Sequence, residues 1–154
     1  CGWHASGARE CTCTQTAIDR YRARLSGPLL DRVDLRVYVE PIKLAELRSP
    51  APGEPSEAMR ARVMAARDRQ RRRLRPWNLG CNAEMTAAVV RACCPLDAPS
   101  EAELAVLVER RRLVTARGVD RLLKTARTVA DLLDQDAIDP EALREAAAFR
   151  TDLV

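Results

Sequence analysis

The chain of 154 residues is long enough for one ordinary domain or two small ones, and its formal net charge is +4. Because 47% of it is hydrophobic but only 3% aromatic, its core must consist of Leu, Val and Ala, which favour packed helices. No apolar run approaches the roughly 18 residues of a membrane span, and no signal-peptide pattern is visible. We therefore expect a cytoplasmic protein without a membrane partner, and the net charge alone does not indicate nucleic-acid binding.

The first part of the chain combines a predicted helix with a single predicted strand. Residues 14–25 place apolar side chains on one helical face, with Thr14 as the N-cap, and a Ser-Gly-Pro turn follows them. Residues 33–39 alternate Val or Leu with polar or half-polar residues, which is the spacing of a strand, and Pro41 ends it. A lone strand leaves its backbone groups unpaired, so we expect a partner or upstream sequence to complete its sheet.

The second part of the chain is predicted to be helical. Residues 48–55 lie in a segment with three prolines and a glycine, which predicts a linker between residues 1–47 and residues 56–154. Beyond the linker, Leu, Ala, Arg and Glu dominate and predict a bundle of about five helices. Their predicted positions are 56–75, 83–93, a helix with Ser100 as N-cap and Glu103 in a capping box, a helix capped by Thr115, and a last helix that begins at Asp139 and Pro140.

Separated segments of the sequence carry a family resemblance. They are "CTQTAIDRYRARLSGPLLDRVDLRVYVEP", "ARVMAARDRQ", "TARGVDRLLKTARTVADL" and "IDPEALREAAAFR". In this order and spacing they resemble the C-terminal part of the magnesium-chelatase-like AAA+ ATPases of the YifB/ComM family. The resemblance implies a mainly α fold: a helical bundle of the AAA+ lid type over 56–154, preceded by one helix and one strand that remain from an α/β ATPase core.

The resemblance also implies a function for the intact protein. By this resemblance, the intact protein would be a hexameric motor that uses ATP and Mg²⁺. ComM members of the family act in DNA branch migration, so DNA is a candidate partner. The 154 residues contain no G-x-x-x-x-G-K-[ST] motif to hold phosphates. We therefore expect this chain to be a fragment that does not hydrolyse ATP alone, and the intact protein to be an ATPase.

Arg32 is the candidate catalytic residue, in the step "LLDR" before the predicted strand. The resemblance implies an arginine finger that reaches the nucleotide of a neighbouring subunit, where a guanidinium stabilises charge on the γ-phosphate. From the residues alone, the alternative is an Arg32 that pairs with Asp31 or Asp34 and fixes the turn.

Arg117 is the candidate nucleotide-binding residue. It lies in the first turn of the helix capped by Thr115, where the helix dipole disfavours a cation, so an anion would complete the site. The resemblance implies that Arg117 is the sensor-2 arginine and that Arg121 is a second nucleotide contact. The alternative is a solvated helical face that Arg117 shares with Arg121 and Lys124.

The cysteines at the front of the chain are candidate metal ligands. Cys1, Cys11 and Cys13 lie in one irregular stretch, and a structural zinc ion takes four Cys or His ligands in a tetrahedron. The resemblance implies a four-cysteine zinc site in the intact protein, of which three cysteines are present here, with His4 as a candidate fourth ligand. The alternative is oxidised or unliganded thiols. Cys81, Cys93 and Cys94 are interpreted as core or helix-end residues.

The predicted helix 56–75 is rich in arginine. Its arginines surround a narrow apolar line of Met59, Val63, Ala66 and Leu74. Such a helix could contact nucleic-acid phosphates or another subunit, but its acidic residues dilute the charge and no aromatic residue is available for base stacking. A solvated face is the favoured interpretation, and the competing functions are a self-standing nucleic-acid-binding module or a zinc-stapled interaction domain.

Overall fold

The structure is a computed structural model that describes residues 1–4, 9–24, 29, 32–39, 42, 44, 48, 53–110 and 115–150. Its contacts divide the chain into two units: Cys1–Val33 with Val37–Gly53, and Asp34–Arg36 with Glu54–Val154. The described residues form six α-helices and no strand, which confirms the mainly α fold. Of these helices, none is both long and apolar enough to cross a membrane.

The first unit contains one helix, α1, which spans Gln15–Arg22. The predicted N-cap is confirmed, because the Thr14 side chain accepts a hydrogen bond from the Ala17 amide at 3.3 Å. The helix has no buried side chain, so its amphipathic pattern is not used for packing within the described part of the chain.

The predicted strand at 33–39 is wrong for this structure. Residues 32–39 carry no strand pairing, and the apolar side chains that alternate along them are exposed. The Arg36 amide instead donates to the carbonyl of Phe149, at 2.8 Å. Alternation favours a strand only where a neighbouring strand accepts its hydrogen bonds, and the described residues supply none. Pro41, predicted to end the strand, and residues 49–52 of the predicted linker lie outside the described residues.

The second unit is built from five helices. They are α2 (Ser56–Leu74), α3 (Ala87–Cys93), α4 (Ala98–Arg110), α5 (Ala116–Leu132) and α6 (Pro140–Ala148). Short 3₁₀ turns at Arg75–Trp77 and Asn82–Glu84 connect α2 to α3, so the helix predicted from residue 83 begins four residues later. α5 packs against α2, α3 and α6, and α6 packs against α4. α5 is therefore the central helix of the bundle.

Two predicted helix starts are confirmed by their hydrogen bonds. The Thr115 hydroxyl accepts from the Gly118 amide at 3.0 Å at the start of α5. At the start of α6 the Asp139 carboxylate accepts from the Ala142 amide at 2.7 Å. Each cap satisfies an amide that the first helical turn leaves without a partner.

The predicted N-cap at Ser100 is wrong. α4 already begins at Ala98, and the Asp97 carboxylate accepts from the Ser100 amide at 2.9 Å, so Asp97 takes the capping role. Pro99 is tolerated there because first-turn amides have no intrahelical partner. Ser100 is fully buried, and its hydroxyl donates to the Ile138 carbonyl at 2.9 Å, which joins α4 to the start of α6.

The core is aliphatic, as the composition indicates. It contains the fully buried side chains of Leu74, Val90, Leu122, Leu143 and neighbouring Ala and Val residues. Cys93 and Cys94 are buried at the end of α3, which agrees with their interpretation as core residues. Burial raises the pKa of the Cys94 thiol to about 12 and also raises that of Cys93.

An ionic network lies inside this apolar core. The Arg73 guanidinium of α2 donates two hydrogen bonds to the fully buried Asp131 carboxylate of α5, at 2.8 and 2.6 Å. Arg127 lies one turn earlier on α5, with its Nε 3.3 Å from Asp131 Oδ1. The Asn82 amide nitrogen donates to Asp131 Oδ2 at 2.9 Å. Burial lowers the pKa of Arg127, and the Asp131 charge opposes that shift.

The Ser100 contact can be tested by mutation. We expect Ser100→Ala to lower the free energy of unfolding by roughly 1–2 kcal/mol, because the hydroxyl's hydrogen bond to the Ile138 carbonyl is lost. Ser56→Ala, at an exposed position in the first turn of α2, is the matched control and should change it by less than about 0.5 kcal/mol. Urea denaturation followed by circular dichroism measures both. Equal effects of the two substitutions would contradict the buried contact.

Candidate functional site

The first turn of α5 presents an exposed cation, Arg117. Arg117 is exposed, and within the part of the chain that the structure describes its guanidinium makes no hydrogen bond or ion pair. The positive end of the helix dipole lies at the same place, so the turn concentrates positive charge. The local geometry therefore suits an anion, and a phosphate would fit the forked donors of Arg117.

Arg121, one turn further along α5, is already engaged. Its guanidinium lies 2.6 Å from Asp34 Oδ1, and its side chain is 24% exposed. Arg121 is thus less available to a nucleotide than Arg117, which was also the stronger candidate by sequence. Asp34, a candidate partner of Arg32 by sequence, accepts this hydrogen bond from Arg121.

The face of α5 that carries these cations is not uniformly solvated. Lys124 is half-buried, and its ammonium donates to the Ala83 carbonyl at 3.1 Å. Of the three cations on this face, one is unpaired within the described residues, one binds a carboxylate and one binds a backbone carbonyl. The alternative of a merely solvated face therefore fits Arg117 alone.

Arg32 lies in the first unit, in a turn where its backbone amide donates to the Leu29 carbonyl at 3.0 Å. The residue is exposed. Asp31, the other candidate partner for its side chain, lies outside the described residues. The structure therefore places Arg32 on a surface turn, and its role as a finger stays a prediction.

The three N-terminal cysteines lie close together. The Sγ atoms of Cys1, Cys11 and Cys13 all lie within 4.8 Å of one another, and those of Cys1 and Cys11 are 3.5 Å apart. Four thiolates around one zinc ion, each about 2.3 Å from it, place their sulfur atoms about 3.8 Å apart, so three ligands fit. His4 is not a member of this group, and its candidacy as the fourth ligand gains no support.

A cavity between α2 and α5 was not predicted from the sequence. It measures about 280 Å³ and is lined by Val63, Ala66, Arg67, Gln70, Cys81, Asn82, Ala83, Thr128 and Leu132. The sequence did contain an indication of this cavity. Gln70 lies four residues after Ala66, so a polar residue continues the apolar line of α2. A polar residue at such a position indicates either a buried hydrogen bond or a site.

Comparison with known proteins assigns the family. The model of magnesium chelatase subunit ChlI matches residues 1–47, and the model of the ChlI C-terminal region matches residues 53–150. The chain is 37% identical to the uncharacterized protein YifB of Escherichia coli K12 over 153 residues, 97% of the chain. It is 34% identical over 142 residues, 92% of the chain, to an uncharacterized protein of Mycobacterium tuberculosis.

A third relative carries a descriptive name. The competence protein ComM of Haemophilus influenzae is 32% identical over 148 residues, 96% of the chain. The chain spans 28% of the length of each of these three relatives. It belongs to the magnesium chelatase subunit ChlI family, and its described second unit corresponds to the family's C-terminal region.

Proposed function

We propose that this chain is the C-terminal part of an ATP-driven AAA+ motor of the magnesium-chelatase-like type and that its helical bundle is the lid of that motor. The family membership supports the class of protein. The single observation that carries the proposal for this chain is Arg117 in the first turn of α5, which is exposed and has no partner among the residues that the structure describes. The P-loop and bound Mg²⁺ would be supplied outside these 154 residues, and the motor would work in the cytoplasm.

Arg117 would contact the nucleotide of its own subunit. In the absence of an anion, the guanidinium and the positive end of α5 repel each other. A phosphate placed between them is attracted by both, so Arg117 would couple nucleotide binding to the position of the lid. Arg117 would supply hydrogen bonds and charge, and the chemistry of hydrolysis would belong to the rest of the site.

Arg121 we assign a positioning role in place of the direct nucleotide contact that the resemblance implies. Its ion pair with Asp34 ties the chain segment Asp34–Arg36 to α5. A second attachment of this segment is the hydrogen bond from the Arg36 amide to the Phe149 carbonyl. For Arg121 to bind a phosphate, the pair with Asp34 would first have to open.

Arg32 would act on the nucleotide of a neighbouring subunit in a hexameric ring. A guanidinium donated in trans neutralises charge that develops in the transition state, and such fingers raise turnover by roughly 10³-fold or more. The exposure of Arg32 is what such a role requires. One relative is named a competence protein, and a role in DNA processing, with DNA as the partner, is the finer proposal that this name suggests.

Arg32 and Arg117 can be separated experimentally in the intact protein that contains this chain. We expect Arg32→Ala to lower ATP turnover by roughly 10³-fold and leave nucleotide affinity within about twofold, because the finger acts in the transition state. Arg117→Ala should weaken nucleotide binding by about tenfold or more, as a lost charged hydrogen bond does. Arg72→Ala, at an exposed arginine of α2, is the control. Normal turnover by the Arg32 variant would refute the finger.

We also propose that the three N-terminal cysteines hold a structural zinc ion, with the fourth ligand supplied from outside the described residues. The clustering of their Sγ atoms favours this proposal. A zinc ion would cross-link Cys1 to Cys11 and Cys13. Such a cross-link suits this part of the chain, because none of its described residues is buried.

The zinc proposal predicts a metal-dependent spectrum. Cobalt(II) added to the reduced chain should give thiolate-to-cobalt charge-transfer absorption, and zinc should displace it. We expect Cys11→Ser with Cys13→Ser to abolish the absorption, since two of the three ligands are lost, and Cys81→Ser to leave it unchanged. Equal absorption in all three proteins, or none in the parent chain, would contradict the site.

A further inference from the structure

The N-terminal half of α2 has an apolar line that the bundle leaves uncovered. All residues of 56–65 are exposed, and the buried side chains of α2 are Ala66, Gln70 and Leu74 in its second half. Met59 and Val63 continue the same line towards the N-terminus at helical spacing and are 45% and 48% exposed. We call Met59, Val63, Ala66 and Gln70 the α2 seam. Its first half has the pattern of a packing surface without a packing partner.

The seam is flanked by positive charge and opens into the cavity. Arg60 and Arg67 lie seven residues apart on one flank, and neither makes an ion pair with a described residue. Gln70 and Val63 line the cavity of about 280 Å³. The side-chain oxygen Oε1 of Gln70 accepts from the backbone amide of Asn82 at 3.3 Å, while the side-chain nitrogen of Gln70 makes no hydrogen bond among the described residues. The surface thus combines apolar contact, a recess and two available guanidiniums.

The outer side of α4 has the opposite charge and a similar apolar centre. Glu101, Ala102, Ala105, Val106 and Glu109 are exposed and recur at helical spacing. We call these residues the α4 face. The two glutamates are eight residues apart and make no ion pair with a described residue. Their separation along the axis, about 12 Å, is close to the separation of about 10 Å between the two flanking arginines of the seam.

The two surfaces lie on α2 and α4, which are the first and last helices in a series of helix contacts within the second unit. α2 packs on α5, α5 packs on α6, and α6 packs on α4. The α2 seam and the α4 face are therefore suited to contacts with different copies of the chain. The exposed half of α2 is about 15 Å long and the stretch from Glu101 to Glu109 about 12 Å, so the surfaces are also similar in size.

We propose that a second copy of this chain docks its α4 face on the α2 seam. Glu101 and Glu109 would pair with Arg67 and Arg60, and Ala105 and Val106 would cover Met59 and Val63 of the other copy. Such a contact is head-to-tail, because each copy keeps one unused surface of each kind, and contacts of this type close into rings or continue as open arrays. The contact deepens the proposed function, on which its biological meaning rests, since it would join the lids of neighbouring subunits.

Charge and chemistry favour a second copy over nucleic acid. Phosphates would match Arg60 and Arg67, but they would leave Met59 and Val63 uncovered, and no aromatic side chain lies on the seam to stack on a base. The α4 face supplies acidic groups that match the flanking arginines and apolar groups that match Met59 and Val63. Two short helix faces are smaller than a standard protein interface, so the association is weak and sensitive to salt.

Charge-swap variants of the 154-residue chain test the proposal by sedimentation equilibrium at low salt and without nucleotide. We expect the parent chain to self-associate as its concentration rises. Arg60→Glu with Arg67→Glu should weaken this association at least about tenfold, and Glu101→Arg with Glu109→Arg should do the same, because like charges then face each other. An equimolar mixture of the two variants should associate again, since every contact between unlike variants restores opposite charges.

Controls separate this contact from general charge effects. Arg72→Glu with Arg75→Glu changes the net charge equally but lies away from the seam, so it should associate like the parent chain. The altered residues are exposed, and circular dichroism should show unchanged helicity in all variants. A chain that stays monomeric at every concentration, or a mixture no more associated than its components, overturns the proposal. Duplex DNA binding by a monomeric chain, lost in the Arg60 and Arg67 variant, would assign the seam to nucleic acid instead.

The two proposals can fail independently. Self-association is measured on this chain without nucleotide, whereas the roles of Arg32 and Arg117 are measured as turnover and nucleotide affinity of the intact protein. Loss of association in the charge-swap variants with normal sensitivity to Arg117→Ala would support both. Association that is unaffected by the swaps would remove the docking contact and leave the lid function untouched.

Discussion

The bundle depends on the ion pairs and hydrogen bonds made by the buried carboxylate of Asp131. A carboxylate removed from water is unfavourable by several kcal/mol unless charged and hydrogen-bonding partners surround it. Here Arg73 from α2 and Arg127 from α5 supply the charges, and the Asn82 amide supplies a further donor. The carboxylate therefore joins α2, the turn after it and α5. The geometry of that junction has little freedom, because moving one partner leaves another buried charge without compensation.

The network extends from Asp131 towards the last helix. The Arg127 guanidinium also donates to the carbonyls of Gln135 and Asp136, at 2.6 and 2.8 Å, in the loop between α5 and α6. α5 is thus held at its C-terminal half by α2 and by the loop that leads into α6. The N-terminal turn of α5, which carries Arg117, therefore belongs to a helix whose C-terminal half is held in place on two sides. The same junction fixes only the second half of α2 and leaves the first half of the α2 seam, Met59 and Val63, uncovered.

The sequence predicted helix starts that depend on only a few neighbouring residues. The caps at Thr115 and Asp139 are correct because a short polar side chain before an amphipathic run has few other roles. Ser100 was misassigned because Asp97, three residues earlier, offers the same chemistry, and sequence alone does not show which of the two precedes the first turn. The strand at 33–39 was predicted from alternation, which describes one strand and says nothing about its neighbour.

Long-range pairing is what the sequence did not reveal. Asp34 and Arg121 are 87 residues apart in the chain, so nothing local indicated that Arg121 is engaged by a carboxylate. Arg73 looked like one more solvated arginine of α2, although its partner Asp131, 58 residues later, draws it into the core. The cluster of Cys1, Cys11 and Cys13 is local by contrast, because all three cysteines lie within residues 1–13.

A double-mutant cycle on Arg73 and Asp131 tests the central claim most directly. The free energy of unfolding would be measured for Arg73→Met, Asp131→Asn, the double variant and the parent chain, with the cycle of Arg71→Met and Asp68→Asn as the exposed control pair. If the buried carboxylate organises the bundle, the first cycle gives a coupling energy of about 2 kcal/mol or more, because each single variant removes one partner from a buried ionic network. The control cycle should give a coupling close to zero. A coupling between Arg73 and Asp131 no larger than that of the control pair would contradict the account.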